Sequence, residues 1–537
     1  MSRGVLLPGA PDRASIINLR HGFILLYVLI LSYSYFQSTS QHWSSVIDFD
    51  LTVIYNSLQL ISGLDQDFRD HPAYTQFMFY GLSFKILSFF NSNIITSVEQ
   101  LLTTDSPNDS ISSLFLIARF VNSIFLIITI FYFSKICKLF DIKKRLIFFG
   151  AVSLAISQSG IENLIILRAD IIAIALMMGS IFYILSFIKL EHRPHKILLA
   201  SIFLVLSLLA KIQIIILLIL VFVLVPFIIS SETNKKLNYS VGLRYYNFYL
   251  ASYAFIFMGY LVLQYFIHNH ERFEDQKYID FFIFLIFNIT MFFYLLFLNF
   301  KKKDSLKISL SIFILLLFGM ILTVGSLLTL SYLEIFKLSP YILMRLVNPF
   351  YYLKVYSPLS STSIEFSFLK DLILLFFSGL KIDIKSLLSL CVIMLYSLVN
   401  NSNNNNKRDF WYQIIFFVST MLIIFVFNMR YFKTYDMFYL PIYYVLINLC
   451  LKNLQKYFLT SAVLVIFIFN NNFFIKKYDL IHLSFQRESN INKICSDQDT
   501  RKFIWWWARK LDENFFRNLC EKENIILTDL RLSAYVN

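Results

Sequence analysis

The sequence predicts an all-α polytopic membrane protein with about 11–13 transmembrane helices. Three observations lead to this fold class. The 537-residue chain is 57% hydrophobic and has a mean hydropathy of +0.64. Charged residues make up only 15% of it, which is too few to keep so apolar a chain soluble. Lys and Arg occur in short clusters between long apolar runs, as they do in the cytoplasmic loops of membrane proteins.

The net charge of +14 reflects membrane orientation rather than nucleic-acid binding. A nucleic-acid site needs a continuous basic patch, whereas these clusters are separated by apolar runs, so we expect no nucleic-acid partner. Residues 1–21, with Arg3, Arg13 and Arg20, are predicted to be cytoplasmic. The first helix, at about 22–37, is not followed by a small-residue cleavage pattern, and we expect it to remain as an anchor.

The first outer loop, residues 38–112, is unusually rich in acids and opens with Asp48-Phe49-Asp50. Apolar residues recur at helical spacing from Leu51 to Ile61, and Gly63 follows, which predicts a short amphipathic helix. Because this helix is too short to cross a membrane, we place it on the outer surface. A second surface-lying or re-entrant helix is predicted at 74–90, after Pro72.

The rest of the chain is predicted to alternate across the membrane. Residues 157–163 are predicted to form a short outer turn, residues 332–369 a longer outer loop, and 197–229 a helical pair broken near Lys211 and Gln213. Dense basic clusters then fall on one side, and the tail 474–537 lies on the other. The remaining predicted helices are 113–134, 146–159, 165–188, 248–267, 279–299, 308–331, 410–428, 437–451 and 457–473.

Asp48 and Asp50 are the first candidates for chemistry. A carboxylate pair at the mouth of an outward-facing pocket can take a proton from a hydroxyl nucleophile or hold a divalent ion such as Mg²⁺ or Mn²⁺. Asp50 directly precedes the predicted surface helix and also suits the position of its N-cap. Asp48 has no such structural role and is therefore the better candidate for the base.

Asp70 and His71 form the second group of candidates. They form either a polar turn before Pro72 or a site for an acceptor, a metal or a phosphate. Asp65 and Asp67, a few residues earlier, are expected to be solvated.

Arg168 and Asp170 stand near the predicted outer end of a helix, where they could form a salt bridge or serve a site. Lys211, Arg345 and Arg430 are the other cations on this side. At least one of these cations is expected to bind a lipid phosphate, with Arg345 and Arg430 ahead of Lys211.

The polar tail is predicted to cap the outer face. It contains three consecutive tryptophans, Trp505 to Trp507, which suit either a small core or an interfacial belt. Cys495 and Cys520 form either a disulfide or two separate thiols. The other three cysteines, in or beside apolar runs, are predicted to be buried small residues: Cys137, Cys391 and Cys450.

Taken in order, these features resemble the glycosyltransferase C superfamily of polytopic enzymes, in particular its mannosyltransferase-like bacterial members. The resemblance covers residues 20–450, mainly as topology. The second acid of this chain stands two residues after the first, whereas many members have adjacent acids, so either aspartate could be the base. The matching positions are Asp48, Asp50 and Tyr55, then Asp70-His71-Pro72, Arg168-Ala169-Asp170, Lys211, Arg430-Tyr431 and Tyr439-Leu440-Pro441.

The resemblance implies an enzyme of the bacterial inner membrane with an extracytoplasmic active face. It would move a sugar from a polyprenyl-phosphate donor to a periplasmic glycan, glycolipid or protein, with an Asp of the first outer loop as base. The transferase domain would be 22–473 and the extracytoplasmic cap 474–537. Tyr55, Asp70, His71, Arg168, Asp170, Lys211, Arg345, Arg430 and Tyr431 would bind substrate.

Two other classes stay open at this point. A transporter or flippase has a similar number of spans, but it predicts internal repeats and ionisable groups near the midplane, and the sequence has no clear repeat. An O-antigen polymerase or ligase would place its function in the later outer loop at 332–369, with Arg345. The sequence contains no P-loop or dinucleotide fingerprint, which favours a lipid-linked donor over a nucleotide sugar.

Overall fold

The computed structural model describes residues 13–40, 42–45, 50–67, 73–156, 158–190, 193–211, 214, 304–333, 491–497, 501, 504–505, 508–511 and 513–522. Within these ranges the regular structure is helical and there is no strand, as the sequence predicts. The helices are α1 Arg13–Ser40, α2 Asp50–Ile61, α3 Tyr74–Ser88, α4 Val98–Thr103, α5 Pro107–Leu139, α6 Lys144–Ala155, α7 Gln158–Ile165, α8 Asp170–Lys189, α9 Pro194–Ala210, α10 Asp304–Tyr332, α11 Ile491–Ser496 and α12 Glu513–Lys522.

Four helices of the described ranges are long and apolar enough to cross a membrane, which supports the predicted membrane class. A fifth, His195–Ala210 within α9, is apolar but shorter. The predicted helices at 248–267, 279–299, 410–428, 437–451 and 457–473 lie outside the described residues, so the total of about 11–13 spans stays a prediction. The four spans are Arg20–Thr39, Pro107–Leu139, Asp170–Lys189 and Leu315–Tyr332.

Helices α5 and α8 run in the same direction and show where the apolar zone lies. At one end the Arg119 Nε donates a hydrogen bond to the Ile165 carbonyl just before α8 (3.0 Å). At the other end the Lys189 Nζ donates to the Leu139 carbonyl (3.1 Å). Both helices therefore cover the same stretch, about 20 residues or roughly 30 Å, which matches the hydrocarbon thickness of a bilayer. The first turns of α5 project beyond it.

Basic side chains gather at the end of the bundle where α1 and α6 begin and α5 and α8 finish. The Lys138 ammonium lies close enough to Arg20, Lys135 and Lys144 to interact with their charges. We call this the basic end, and we call the opposite end, where α2 and α8 begin and α9 finishes, the site end. The sequence predicts such a separation of the basic clusters to one side.

Several helix bounds differ from the prediction. Helix α1 begins at Arg13, well before residue 22. Helix α5 is longer than the predicted 113–134 at both ends. At its start, Pro107 and Asp109 favour a first helical turn six residues earlier than predicted. The outer turn predicted at 157–163 is wrong. Residues 158–165 form helix α7, because Leu164 and Ile165 are buried with helical spacing from Ile161.

The predicted surface position of α2 is also wrong. The helix has the expected bounds, and Gly63 (φ +71°) ends it as predicted. However, its polar residues are as buried as its apolar ones, including Thr52, Asn56 and Gln59. The reason is that α3, α5 and the tail cover the faces that a surface helix would turn to water. Helix α3 begins at Tyr74 as predicted and ends at Ser88.

Candidate functional site

The connection between α7 and α8, residues 166–169, is the point at which the first acidic loop meets the bundle. Asp50 is the first residue of α2, and only 1% of it is exposed. Its Oδ1 accepts a hydrogen bond from the Leu167 backbone N–H (3.1 Å). The carboxylate sits at the positive end of its own helix, where a negative charge is stabilised. Asp50 therefore fixes the start of α2 against the residue that precedes Arg168.

Arg119 binds the end of α7, directly before the same connection, and the sequence did not single it out. Its Nε donates to the Ile165 carbonyl (3.0 Å), and its guanidinium lies 5.6 Å from the Phe115 ring centroid. The side chain is 1% exposed, and its charge interacts with that of Asp50. A lone Arg inside the apolar run 113–134 was the available signal, because ionisable groups at membrane depth are costly and are retained for a role.

A second layer of hydrogen bonds joins α3 to the same connection. The Asn122 Nδ2 donates to the Asn163 carbonyl (2.8 Å). The Tyr80 hydroxyl donates to the Asn122 Oδ1 (2.6 Å) and accepts from the Gln76 Nε2 (3.0 Å). Burial raises the pKa of Tyr80 well above its ordinary range, so the neutral hydroxyl is kept. This hydrogen-bond network fixes the position of α3 along the axis of α5.

Asp170 and Lys211 form a close ion pair that joins the start of α8 to the end of α9. The Lys211 ammonium donates to the Oδ1 of the Asp170 carboxylate. Helix α9 ends at Ala210 with Lys211 extended, so the predicted break near Lys211 is present. Close by, the Thr75 Oγ1 donates to the Leu206 carbonyl (2.7 Å).

These contacts bring four chain segments to the site end. They are the start of α2 at Asp50, the start of α3 at Tyr74, the α7–α8 connection with Arg168, and the end of α9 at Lys211. Asp48 precedes Asp50 by two residues, and Asp70 and His71 directly precede Pro72 and α3. The candidate residues outside the described part of the chain are Asp48, Asp70, His71, Arg345, Arg430 and Tyr431.

Residues just before the acidic pair are attached to α5. The Trp43 Nε1 donates to the Asn108 Oδ1 (2.5 Å), and the His42 Nε2 lies 3.0 Å from the same oxygen. The Ser44 backbone N–H donates to the His42 Nδ1 (3.2 Å), so the Nε2 carries the proton of the neutral ring. Residues 42–45 and Asp50 thus hold both ends of the short segment that contains Asp48.

Tyr55 and Asp67 form the contact with the tail. The Tyr55 hydroxyl donates to the Asp67 Oδ2 (2.9 Å) and accepts from the Lys510 backbone N–H (3.2 Å). The same carboxylate oxygen accepts from the Arg509 backbone N–H (2.9 Å) and from the Gln59 Nε2 (3.2 Å). Asp67 is therefore half-buried and binds the tail, whereas sequence alone suggested a solvated side chain; Asp65 is exposed, as expected.

The part of the tail that contacts this loop is closed by a disulfide between Cys495 and Cys520. The guanidinium of the buried Arg501 donates to the carbonyls of Ile494 and Cys495, which fills the space inside the loop. Trp505 is half-buried. Trp506, Trp507, Cys391 and Cys450 lie outside the described residues, and Cys137 is a buried free thiol. We call residues 491–522 the cap.

The surroundings of Asp50 do not fit a divalent cation. Its carboxylate accepts the Leu167 N–H and interacts with the positive charge of the buried Arg119, which would oppose a second cation at this carboxylate. Within the described ranges no three His, Cys, Asp or Glu side chains are grouped as metal ligands.

Comparison of the chain with protein-family models, curated proteins and solved structures gives no match.

Proposed function

We propose that this protein is an integral membrane glycosyltransferase that transfers a sugar from a polyprenyl-phosphate donor to a hydroxyl acceptor at the site end of the bundle. The observation that carries the proposal is the hydrogen bond between Asp50 and Leu167. It brings the start of the acidic loop to the residue before Arg168, near the Asp170–Lys211 pair, and this grouping of carboxylates and cations supports a site for a lipid phosphate. Under this proposal the site end is extracytoplasmic, because the basic end is cytoplasmic.

Asp48 is the base in this proposal. Asp50 is buried, with Leu167 and Arg119 at its carboxylate, and this favours a structural role for it. A base must reach a substrate hydroxyl within hydrogen-bond distance, which a carboxylate engaged in this way is poorly able to do. Asp48 belongs to the same segment, which is fixed at Trp43 on one side and at Asp50 on the other.

Arg168 is the best candidate among the described residues for the donor phosphate. It is half-buried at the start of α8, where the helix end adds positive potential. Its guanidinium can make forked hydrogen bonds to a phosphate. Lys211, which pairs with Asp170 at the end of α9, would add positive charge to the same region. Arg345, Arg430 and Tyr431 would complete the site from later segments.

The reaction that follows is a single displacement. Asp48 takes the proton of the acceptor hydroxyl as its oxygen bonds to the anomeric carbon from the face opposite the phosphate. The bond from that carbon to the phosphate oxygen breaks, and polyprenyl phosphate leaves as a stable anion. A strong general acid is therefore not required, and the product has inverted configuration at the anomeric carbon.

The test is transfer from polyprenyl-phosphate sugars by the purified protein in lipid nanodiscs. Wild-type protein should release polyprenyl phosphate and form a glycosylated acceptor, and a variant with Asp48→Asn and Asp50→Asn should form neither product. Full transfer by that double variant would exclude the assignment of the base. Loss of activity in Arg345→Ala, with full activity in Asp48→Asn, would instead favour an O-antigen polymerase or ligase.

A further inference from the structure

Helix α3 ends in an apolar tip that the described residues leave exposed. Phe89 and Phe90, directly after the helix, are 80% and 84% exposed, and Ile86 is 56% exposed. Leu87 is exposed as well, so four apolar side chains are open within five residues. The first half of α3 is different, since Tyr74, Phe77 and Tyr80 are fully buried. An exposed apolar cluster of this kind indicates a binding surface.

The contacts of α3 fix its depth in the bundle. Near its start, Thr75 binds the Leu206 carbonyl, five residues before the Lys211 that pairs with Asp170. In its middle, Tyr80 binds Asn122, which also binds the Asn163 carbonyl in the last turn of α7. Both points lie at the site end of the apolar zone, within about two helical turns of its boundary.

Because Thr75 and Tyr80 both contact groups near the site end of the bundle, this part of α3 stays near the membrane boundary and does not cross the apolar zone. The Phe79 ring supports this placement, because it packs 4.9 Å from the ring of Phe125, one turn deeper on α5 than Arg119 and Asn122. Continued in the same direction, the ten residues from Tyr80 to Phe90 extend about 15 Å sideways from the bundle. Their apolar side chains therefore lie at the depth of lipid.

We infer that the end of α3, residues 85–90, is an anchor that inserts into the lipid leaflet at the site end. Lys85 is exposed in the last turn and can reach lipid phosphates while its stem lies among apolar groups. The exposed Asn91-Ser92-Asn93 then returns the chain to water. An apolar face with a flanking cation matches the chemistry of an interfacial helix on lipid. This inference does not depend on the proposed transferase activity.

Site-directed spin labelling in lipid vesicles tests the anchor directly. The background protein carries Ala at Cys137, Cys391 and Cys450 and keeps the Cys495–Cys520 disulfide. A nitroxide label is attached to the cysteine of Phe90→Cys or, in a separate variant, of Phe89→Cys. Its relaxation is measured with oxygen, which concentrates in lipid, and with a nickel complex, which stays in water. Two labelled control sites are Leu29→Cys on the exposed face of the spanning helix α1 and Glu99→Cys on the exposed face of α4.

We expect oxygen to relax the labels at positions 89 and 90 more strongly than the nickel complex does, as it should at the lipid-facing position 29. At position 99, in water, the nickel complex should relax the label more strongly than oxygen does. Stronger relaxation by nickel at 89 and 90 would place the tip in water and overturn the inference. Labels that neither reagent reaches would mean that protein, such as a second copy of the chain, covers the tip, which would also overturn it. Because two adjacent positions are labelled in separate variants, the test still gives a result if one variant does not fold.

Discussion

The Oδ1 of Asp50 and the backbone N–H of Leu167 form a hydrogen bond of 3.1 Å across 117 residues of sequence. One partner opens the acidic outer loop, and the other lies directly before Arg168. Arg119 binds the carbonyl of Ile165 two residues earlier, so a buried acid and a buried base hold the two sides of one short connection. The position of the proposed site therefore depends on this pair of residues.

Asp50→Asn is expected to destabilise the protein strongly. The substitution leaves the Arg119 charge without its buried counter-charge and exchanges a charged acceptor at Leu167 for a weaker one. Removing one of two interacting buried charges should cost up to about 3–5 kcal/mol, the usual cost of breaking a buried ion pair from one side. Thermal unfolding in detergent should show a clear drop in Tm, whereas Asp65→Asn, an exposed acid of the same loop, should leave Tm unchanged. Equal Tm values for both variants would contradict the account.

Arg119→Met should be less harmful in combination with Asp50→Asn than alone. With both charges removed, neither is left buried and uncompensated, so the two costs do not add. A double-mutant cycle on unfolding free energies should give a coupling of about 1–3 kcal/mol. Arg119→Lys keeps the charge but lacks the Nε that binds Ile165, and its stability should lie between wild type and Arg119→Met. Additive effects of the two substitutions would mean that the charges do not interact.

Tyr55→Phe should loosen the cap. The hydroxyl that it removes accepts from the Lys510 N–H and holds Asp67, which in turn accepts from the Arg509 N–H. Amide exchange at 509 and 510 should become faster, and limited proteolysis should release the cap more readily. Tyr332→Phe, at an exposed tyrosine of α10, is the matched control. Unchanged exchange at both amides would show that this network does not hold the cap.

The same network makes stability depend on alkaline pH. Burial, and then the charge of Asp67, raise the pKa of Tyr55 above its ordinary value of about 10. A raised pKa means that the stabilisation is complete below the unfolded pKa and is lost as pH rises towards the folded one. Wild type should therefore lose about 1.4 kcal/mol more than Tyr55→Phe for each pH unit above 10. Parallel stability curves for the two proteins between pH 8 and 11 would refute this.

Gly81→Ala should disturb the packing of α2 on α3. A Cβ at Gly81 would lie 2.9 Å from the Ser57 carbonyl oxygen, which is backbone and cannot move aside, and 2.5 Å from the Ile61 Cγ2. Overpacking of this kind costs about 1–3 kcal/mol. Gly325→Ala in α10 is the control, because nothing lies within 4 Å of its added Cβ. A variant at Gly81 as stable as the one at Gly325 would contradict the close contact between α2 and α3.

The sequence predicted elements well where the signal was local. The apolar spacing from Leu51 to Ile61, with Gly63 after it, gave the bounds of α2, and Lys211 marked the end of α9. The sequence-based prediction was poorer where a residue contacts another that lies far away along the chain. Asp67 seemed solvated because the N–H groups of Arg509 and Lys510 that cover its loop come more than 440 residues later.

The candidate site followed the same division between local and distant signals. Asp50 and Asp170 stood out because acids beside apolar runs are rare, and both are buried at the site end. Arg119 was missed because its role depends on Ile165 and Asp50, which only the fold brings near. Spacing along the chain could not predict that Asp170 pairs with Lys211, which lies 41 residues later at the end of α9.

The most direct test of the central claim is the rate of sugar transfer by Asp48→Asn and by Asp50→Asn, each measured separately per folded molecule. The account predicts that Asp48→Asn keeps the wild-type Tm and lowers kcat by about 10²–10⁴-fold, the usual contribution of a general base. Asp50→Asn should lose mainly stability, and its surviving folded fraction should retain activity. Wild-type kcat in folded Asp48→Asn would contradict the account.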